Sequence, residues 1–138
     1  MIHTTWVRGV VGIALFGAGV LTGLVAQTNS DVPQRVEQRR ADLSGAPNME
    51  VIASVLEFKP GDTGALHVHH GIEAAYVLQD ATLQMQGQPA PTVMKAGSTV
   101  FNLRDVKHGG FKVMGDASFK IFAVHVVDKG KPLYDFSK

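Results

Sequence analysis

From about residue 50 onward the chain is a succession of short apolar runs, each cut off within a few residues by Gly, Pro or Asp. No stretch in this part holds a helical period for longer than about two turns, and no internal repeat is evident. Runs of this kind occur at 51–58, 65–69, 73–78, 82–86, 92–95, 99–103 and 119–127. Strands this short and closely spaced bury their apolar faces only by stacking into a sandwich or closing into a barrel, so the expected class is all-β. Parity along the runs indicates which side faces in. Thr82-Leu83-Gln84-Met85-Gln86 alternates cleanly, which places Leu83 and Met85 inward. If Glu73 points inward, Ala75 and Val77 share its face and Ala74, Tyr76 and Leu78 take the other. With Lys120 outward, Phe119, Ile121, Ala123, His125 and Val127 point inward.

The chemistry-bearing residues fall inside this β region. His67 and His69 stand two apart, and on a strand such residues share a face ~6.6 Å apart, so two imidazoles can converge on one ion. Glu73 follows four residues later across Gly71, read here as a turn, and His108 comes well downstream. His70 has the parity of a turn residue or outer hydrogen-bond donor. His125, in an apolar strand, suits either a proton shuttle with an ordinary pKa near 6.5 or a buried neutral imidazole. Tyr76 opposes Glu73 in parity and is expected to pack rather than catalyse.

Met1 to Arg8 makes a short positive start, and Gly9 to Ala26 is an uncharged, mostly apolar run of 18 residues. This reads as an export signal ending near Ala26, or as a single anchor at the low edge of the length that spans a bilayer. Either places the domain outside the cytoplasm, periplasmic or extracellular, with membrane contact only through this segment if it stays uncleaved. Residues 27–48 are polar and rich in turn formers. They read as a linker that becomes an N-terminal arm, with Arg35, Arg39 and Arg40 solvated or placed to hold an anion at a barrel mouth. The domain proper is assigned to 49–138.

All 12 acidic residues lie after the leader, as do 12 of the 13 Lys and Arg, so the domain is formally neutral and nucleic acid is not an expected partner. The chain has no cysteine, which excludes zinc-finger and thiol chemistry and leaves an exported domain to stabilise itself without disulfides.

With these residues in place, the chain resembles the cupin superfamily, in particular its small single-domain bacterial members. The motif Gly-x5-His-x-His-x3or4-Glu-x6-Gly is matched by Gly61, His67, His69 and Glu73, with Asp80 at the final Gly position. The second motif, Gly-x5-Pro-x-Gly-x2-His-x3-Asn, begins at Gly97 and puts its His at His108. Leu103, Asp105 and Lys112 stand at its other positions, so the departure falls on the loop before His108. The tail from Val126 to Leu133 is also similar to the ending of small exported cupins. The resemblance implies a double-stranded β-helix, a jelly-roll barrel that often dimerises, in which His67, His69, Glu73 and His108 ligate one divalent metal.

Imidazoles with one carboxylate suit Fe(II), Mn(II), Co(II), Ni(II), Cu(II) or Zn(II). Three function classes follow, because the fold does not dictate the reaction. The first is a dioxygenase-like metalloenzyme acting on a small organic substrate, with His125 or a water handling the proton. The second is a redox-neutral lyase, isomerase or decarboxylase. The third is a non-catalytic binder, favoured if Phe58, Leu83, Met85 and Phe119 fill the barrel interior.

Overall fold

A computed structural model describes residues 31–138, and the leader expected over 1–26 lies outside the described residues. Among the described residues there are nine strands and no helix. They are β1 (Arg35–Asp42), β2 (Met49–Phe58), β3 (Thr63–Gly64), β4 (Gly71–Val77), β5 (Ala81–Met85), β6 (Thr92–Met94), β7 (Thr99–Asn102), β8 (Phe111–Met114) and β9 (Phe119–Asp128). A five-stranded sheet runs in the order β1-β2-β9-β4-β7 and a four-stranded sheet in the order β3-β8-β5-β6. All pairings are antiparallel. The fold is a double-stranded β-helix, an all-β jelly roll.

The core lies between the sheets and contains Leu56 and Phe58 from β2, Ala75 and Val77 from β4, Leu83 from β5, Val113 from β8 and Phe119, Ile121 and Ala123 from β9. Phe58, Phe111 and Phe119 meet pairwise with ring centroids 5.0 to 6.2 Å apart. Strand parity reads correctly where it was assigned: Glu73, Ala75 and Val77 are buried, as are Phe119, Ile121, Ala123, His125 and Val127, while Tyr76 and Leu78 are exposed.

Five features depart from the sequence reading. The polar stretch expected to be a linker and arm contributes β1, which pairs with β2 along the edge of the five-stranded sheet. Its burial is almost uniformly low and its register shifts between Glu37 and Arg39, so neither apolar alternation nor a constant period marks it as a strand. Charged residues on such an edge discourage pairing with another chain. The arginines there do not gather at a mouth. Arg35 is tied to Asp31 and Ser54, and Arg40 bonds Glu37 and Glu50.

The short strand β8 was not expected. Phe111 and Val113 turn inward between flanking glycines, too short a run to show a pattern. The run at 65–69 is not a regular strand. It is held by two isolated bridges, His67 to His108 and Val68 to Asp135. Gly71 is not a turn residue either. It opens β4 where the backbone approaches β9 so closely that a Cβ would lie 2.0 Å from the Val126 carbonyl oxygen.

Candidate metal centre

Register across the five-stranded sheet builds one wall of the site. Glu73 on β4 is directly opposite Asn102 on β7 and directly opposite His125 on β9. Residues paired in this way share a face, so the three side chains form a row across three strands. Asn102 Nδ2 donates to Glu73 Oε2 at 2.6 Å. The other carboxylate oxygen, Oε1, lies 3.5 Å from His125 Nε2.

The second wall comes from the bridge segment. His67 N–H donates to the His108 carbonyl at 3.0 Å and His108 N–H returns to the His67 carbonyl at 2.9 Å, which sets the two histidines side by side with rings 4.3 Å apart. On the other side, Val68 exchanges two backbone bonds with Asp135, so the His67–His70 segment is clamped between the loop before His108 and the C-terminal tail. The glycine after His108 is part of that fit. Gly109 has φ +84°, and a Cβ there would come within 2.5 Å of the Ala65 carbonyl oxygen.

The loop whose sequence departs from the cupin pattern is pinned at Asp105. Asp105, standing where the pattern has Gly, takes φ 58° and is the sole non-Gly residue with positive φ among the described residues. Asp tolerates this left-handed conformation better than most residues. Its N–H donates to the His69 carbonyl at 3.0 Å and its carboxylate takes a bond from His70 at 2.9 Å. The other ring nitrogen of His70 faces Asp135 at 3.1 Å, so His70 ties the loop to the tail from outside the cluster.

The three histidines expected as ligands are held alike. His67 Nδ1 bonds the Ala65 carbonyl at 2.8 Å, His108 Nδ1 bonds the Val106 carbonyl at 2.9 Å, and His69 Nδ1 bonds the Leu133 carbonyl. A carbonyl only accepts, so each ring carries its proton on Nδ1 and presents the Nε2 lone pair. This is how metal-bound imidazoles are usually oriented. Glu73 Oε2 lies 3.4 Å from His69 Nε2 and 3.5 Å from His108 Nε2. Ligating atoms of His67, His69 and His108 all fall within 4.8 Å of one another, as do those of His69, Glu73 and His125.

Electrostatics keep His67, His125 and Glu73 in the charge states that suit a cation. Burial lowers the His67 pKa to about 4, and the same cause lowers that of His125 to about 4, so both rings are neutral near pH 7. Burial pushes the Glu73 carboxyl upward, but the imidazoles of His108, His69 and His125 gathered around it more than offset this and hold the group well below the usual carboxylate range. Ionised carboxylate with neutral imidazole is what a divalent ion requires.

A direct observation tests the fit. Nε2 of His69, Nε2 of His108 and both ring nitrogens of His125 are buried without a hydrogen-bond partner among the described residues. Unpaired buried polar atoms are costly, and a cation placed among the Nε2 atoms would satisfy those of His69 and His108. Bonds of ~2.1 Å at tetrahedral to octahedral angles put adjacent donors ~3.0–3.5 Å apart, which the 3.4 and 3.5 Å separations match. The residues therefore fit a divalent metal.

A cavity of about 590 Å³ opens directly beside the cluster, lined at the polar end by His67, Glu73, Asn102, His108 and Tyr134. His69 and His125 do not line it. The shuttle expected of His125 needs contact with a bound molecule, whereas the ring is 0% exposed and sits behind Glu73. Its reach into the cavity runs through that carboxylate.

Two contributors went unnoticed in the sequence. Asn102 carries no motif of its own and is found only through the β4–β7 register. Tyr134 arrives from the tail, its ring centroid 4.9 Å from that of His67 and 5.0 Å from that of His69. Its hydroxyl is buried without a partner among the described residues, and burial raises its pKa, so it stays protonated.

No protein-family model and no curated protein matches this sequence. Among solved structures, the chain is similar to a conserved double-stranded β-helix protein from Klebsiella pneumoniae. The identity is 24% over 70% of this chain and 76% of the other, with a TM-score of 0.51, a likeness that bears on the fold. It is also similar to a DMSP lyase from Ruegeria pomeroyi, at 23% identity over 59% of this chain and 40% of that one, TM-score 0.47. A cupin superfamily protein from Desulfitobacterium hafniense matches at 16% identity over 70% and 80%, TM-score 0.43.

Proposed function

We propose that this protein is an exported, cupin-type metalloenzyme that acts on a small organic molecule, with one divalent transition metal held by His67, His69, Glu73 and His108. The observation that carries the proposal is the junction of two features: Nδ1 of three histidines held by backbone carbonyls, which leaves Nε2 free, and an internal cavity that begins at two of them, His67 and His108, and at Glu73. A structural ion needs no adjoining space. Phe58, Leu83, Met85 and Phe119, whose filling of the interior would have favoured a non-catalytic binder, line the open cavity instead, which argues against a site that only stores metal.

When bound, the ion would supply Lewis-acid polarisation of a substrate oxygen or, if redox-active, a route for electrons. The chain's residues do the rest. Glu73 offsets part of the ion's charge, and its Oε2 is oriented by Asn102. His125 stands behind the other oxygen of Glu73, its Nε2 3.5 Å away. Tyr134 offers a donor hydroxyl to whatever enters, and the surrounding hydrocarbon keeps bulk water from the reacting end.

Metal analysis of protein purified from the exported fraction, paired with oxygen uptake on a panel of small organic molecules, tests the proposal. About one metal per chain is expected, lost in His67→Ala and in His69→Ala; full occupancy in both variants would sink the site. Substrate-dependent oxygen uptake identifies the dioxygenase-like reaction, and product formed without it identifies the redox-neutral one.

A further inference from the structure

The polar lining of the cavity is concentrated at the cluster, with Gln34 and Thr63 as the other uncharged polar side chains. Beyond the cluster its walls come from both sheets and are largely hydrocarbon, among them Leu56 and Phe119 facing Leu83, Met85 and Phe111. The sole cationic side chain among the described lining residues is Lys107, which is exposed beside His108. The rim residues Leu66 and Phe136 are also apolar. Protein interiors are normally packed with few voids larger than a water molecule, so about 590 Å³ among core side chains is space held open, within the range that encloses a small organic ligand. The buried, unpartnered hydroxyl of Tyr134 at the polar end is a second sign of an absent occupant.

These walls select by polarity. A ligand hydroxyl carried into the hydrocarbon part gives up its bonds to water and finds no partner, at a cost of roughly one order of magnitude in affinity per group. An aromatic or branched aliphatic body gains by leaving water there. Oxygen atoms are matched best where the imidazoles, Glu73, Asn102 and Tyr134 converge, Gln34, Thr63 and Lys107 being the other polar side chains among the described lining residues.

We propose that the cavity takes a ligand with an uncharged hydrocarbon body, aromatic or branched aliphatic, whose oxygen donors are confined to the end that meets Glu73 and the histidines. Only that oxygen-bearing end rests on the metal reading above. Sugars, polyols and dicarboxylates are thereby disfavoured as substrates.

The test has two arms. In the first, metal-free protein is titrated with n-propylbenzene and read by its thermal shift. Saturable stabilisation is expected, and none would overturn the inference whether or not metal binds. In the second, zinc-loaded protein is titrated with three hydroxamates that share one chelating head. Benzohydroxamate should bind at least tenfold tighter than acetohydroxamate, and the polyhydroxylated gluconohydroxamate no tighter than acetohydroxamate. Equal affinities, or a preference for the polyol, would overturn the proposal. Failure to take up zinc would sink the metal reading and leave the first arm to judge the cavity. Leu83→Phe, or Met94→Phe on β6 if the former misfolds, should lower benzohydroxamate affinity at least fivefold with zinc content and acetohydroxamate affinity unchanged. A loss shared equally by both probes would mean that the metal end, not the apolar wall, was being read.

Discussion

Replacing Asn102 by Ala removes a group that touches the cluster only through Glu73. Its amide donates to Glu73 Oε2 at 2.6 Å, and the Glu73 side chain is 7% exposed, so water replaces the lost donor poorly. A hydrogen bond to a charged group contributes about 1.5–3 kcal/mol. Removing an outer partner of a metal ligand weakens metal binding by about 10- to 100-fold, which at 1.4 kcal/mol per factor of ten spans about 1.4–2.8 kcal/mol. The two estimates agree, and the near absence of water favours their upper half. Asn102→Ala should therefore bind zinc about 30- to 100-fold more weakly than the parent. The assay is competition for zinc against a chromophoric chelator at fixed pH and salt, with near-ultraviolet circular dichroism confirming that the barrel is intact. Thr99→Ala, on the same strand but exposed, controls for damage to β7 and should stay within twofold. Asn102→Asp sets a second carboxylate beside Glu73, so one of the two must hold a proton, and affinity should fall further. If Asn102→Ala bound zinc within twofold of the parent while Glu73→Gln lost it, the idea that this amide holds the carboxylate in its binding position would be refuted.

Three further outcomes are expected. Gly71→Ala forces a Cβ to within 2.0 Å of the Val126 carbonyl oxygen and 2.6 Å of the Val127 Cα, so β4 and β9 must part. A loss of about 3 kcal/mol in urea unfolding or outright insolubility follows, whereas a stable variant with unchanged zinc affinity would contradict the close approach. Metal-free protein should lose stability as pH falls from about 6.5 to about 4. The unfolded chain takes up protons on His67 and His125 in that window while the folded rings, lowered to about 4 by burial, stay neutral. Unfolding free energies from denaturant titrations across the range should fall, by about 3 kcal/mol for His125 alone, and His125→Phe should flatten the slope. Adding a chelator to metal-loaded protein should lower the Tm by on the order of 10 °C, because free metal at 100 times its Kd adds about 2.7 kcal/mol.

Strand parity was the most legible part of the fold. Because side chains alternate with a period of two, the inward faces of β4, β5 and β9 could be read residue by residue, and burial follows them. The weakest strands to read were β1, whose outer position removes the apolar alternation, and β8, which is too short to show one. The residues of the cluster were legible because imidazole and carboxylate at His67, His69, Glu73 and His108 are chemically distinctive at any spacing. Their support was not. Asn102 and Tyr134 are ordinary residues in sequence and matter only for what they meet.

What the chain determined by itself is therefore local: an all-β pattern, the side each strand turns inward, and the four side chains with metal-binding chemistry. Tertiary structure alone decided the rest. Strand register placed Asn102 and His125 on either side of Glu73, a pair of backbone bonds set His108 against His67, and the tail delivered Tyr134. Closure of the two sheets decided that the core would retain a cavity instead of filling it. Alternation belongs to one strand and is written in consecutive residues. Register, closure and the space left inside depend on contacts between segments far apart in the chain, and only packing settles them.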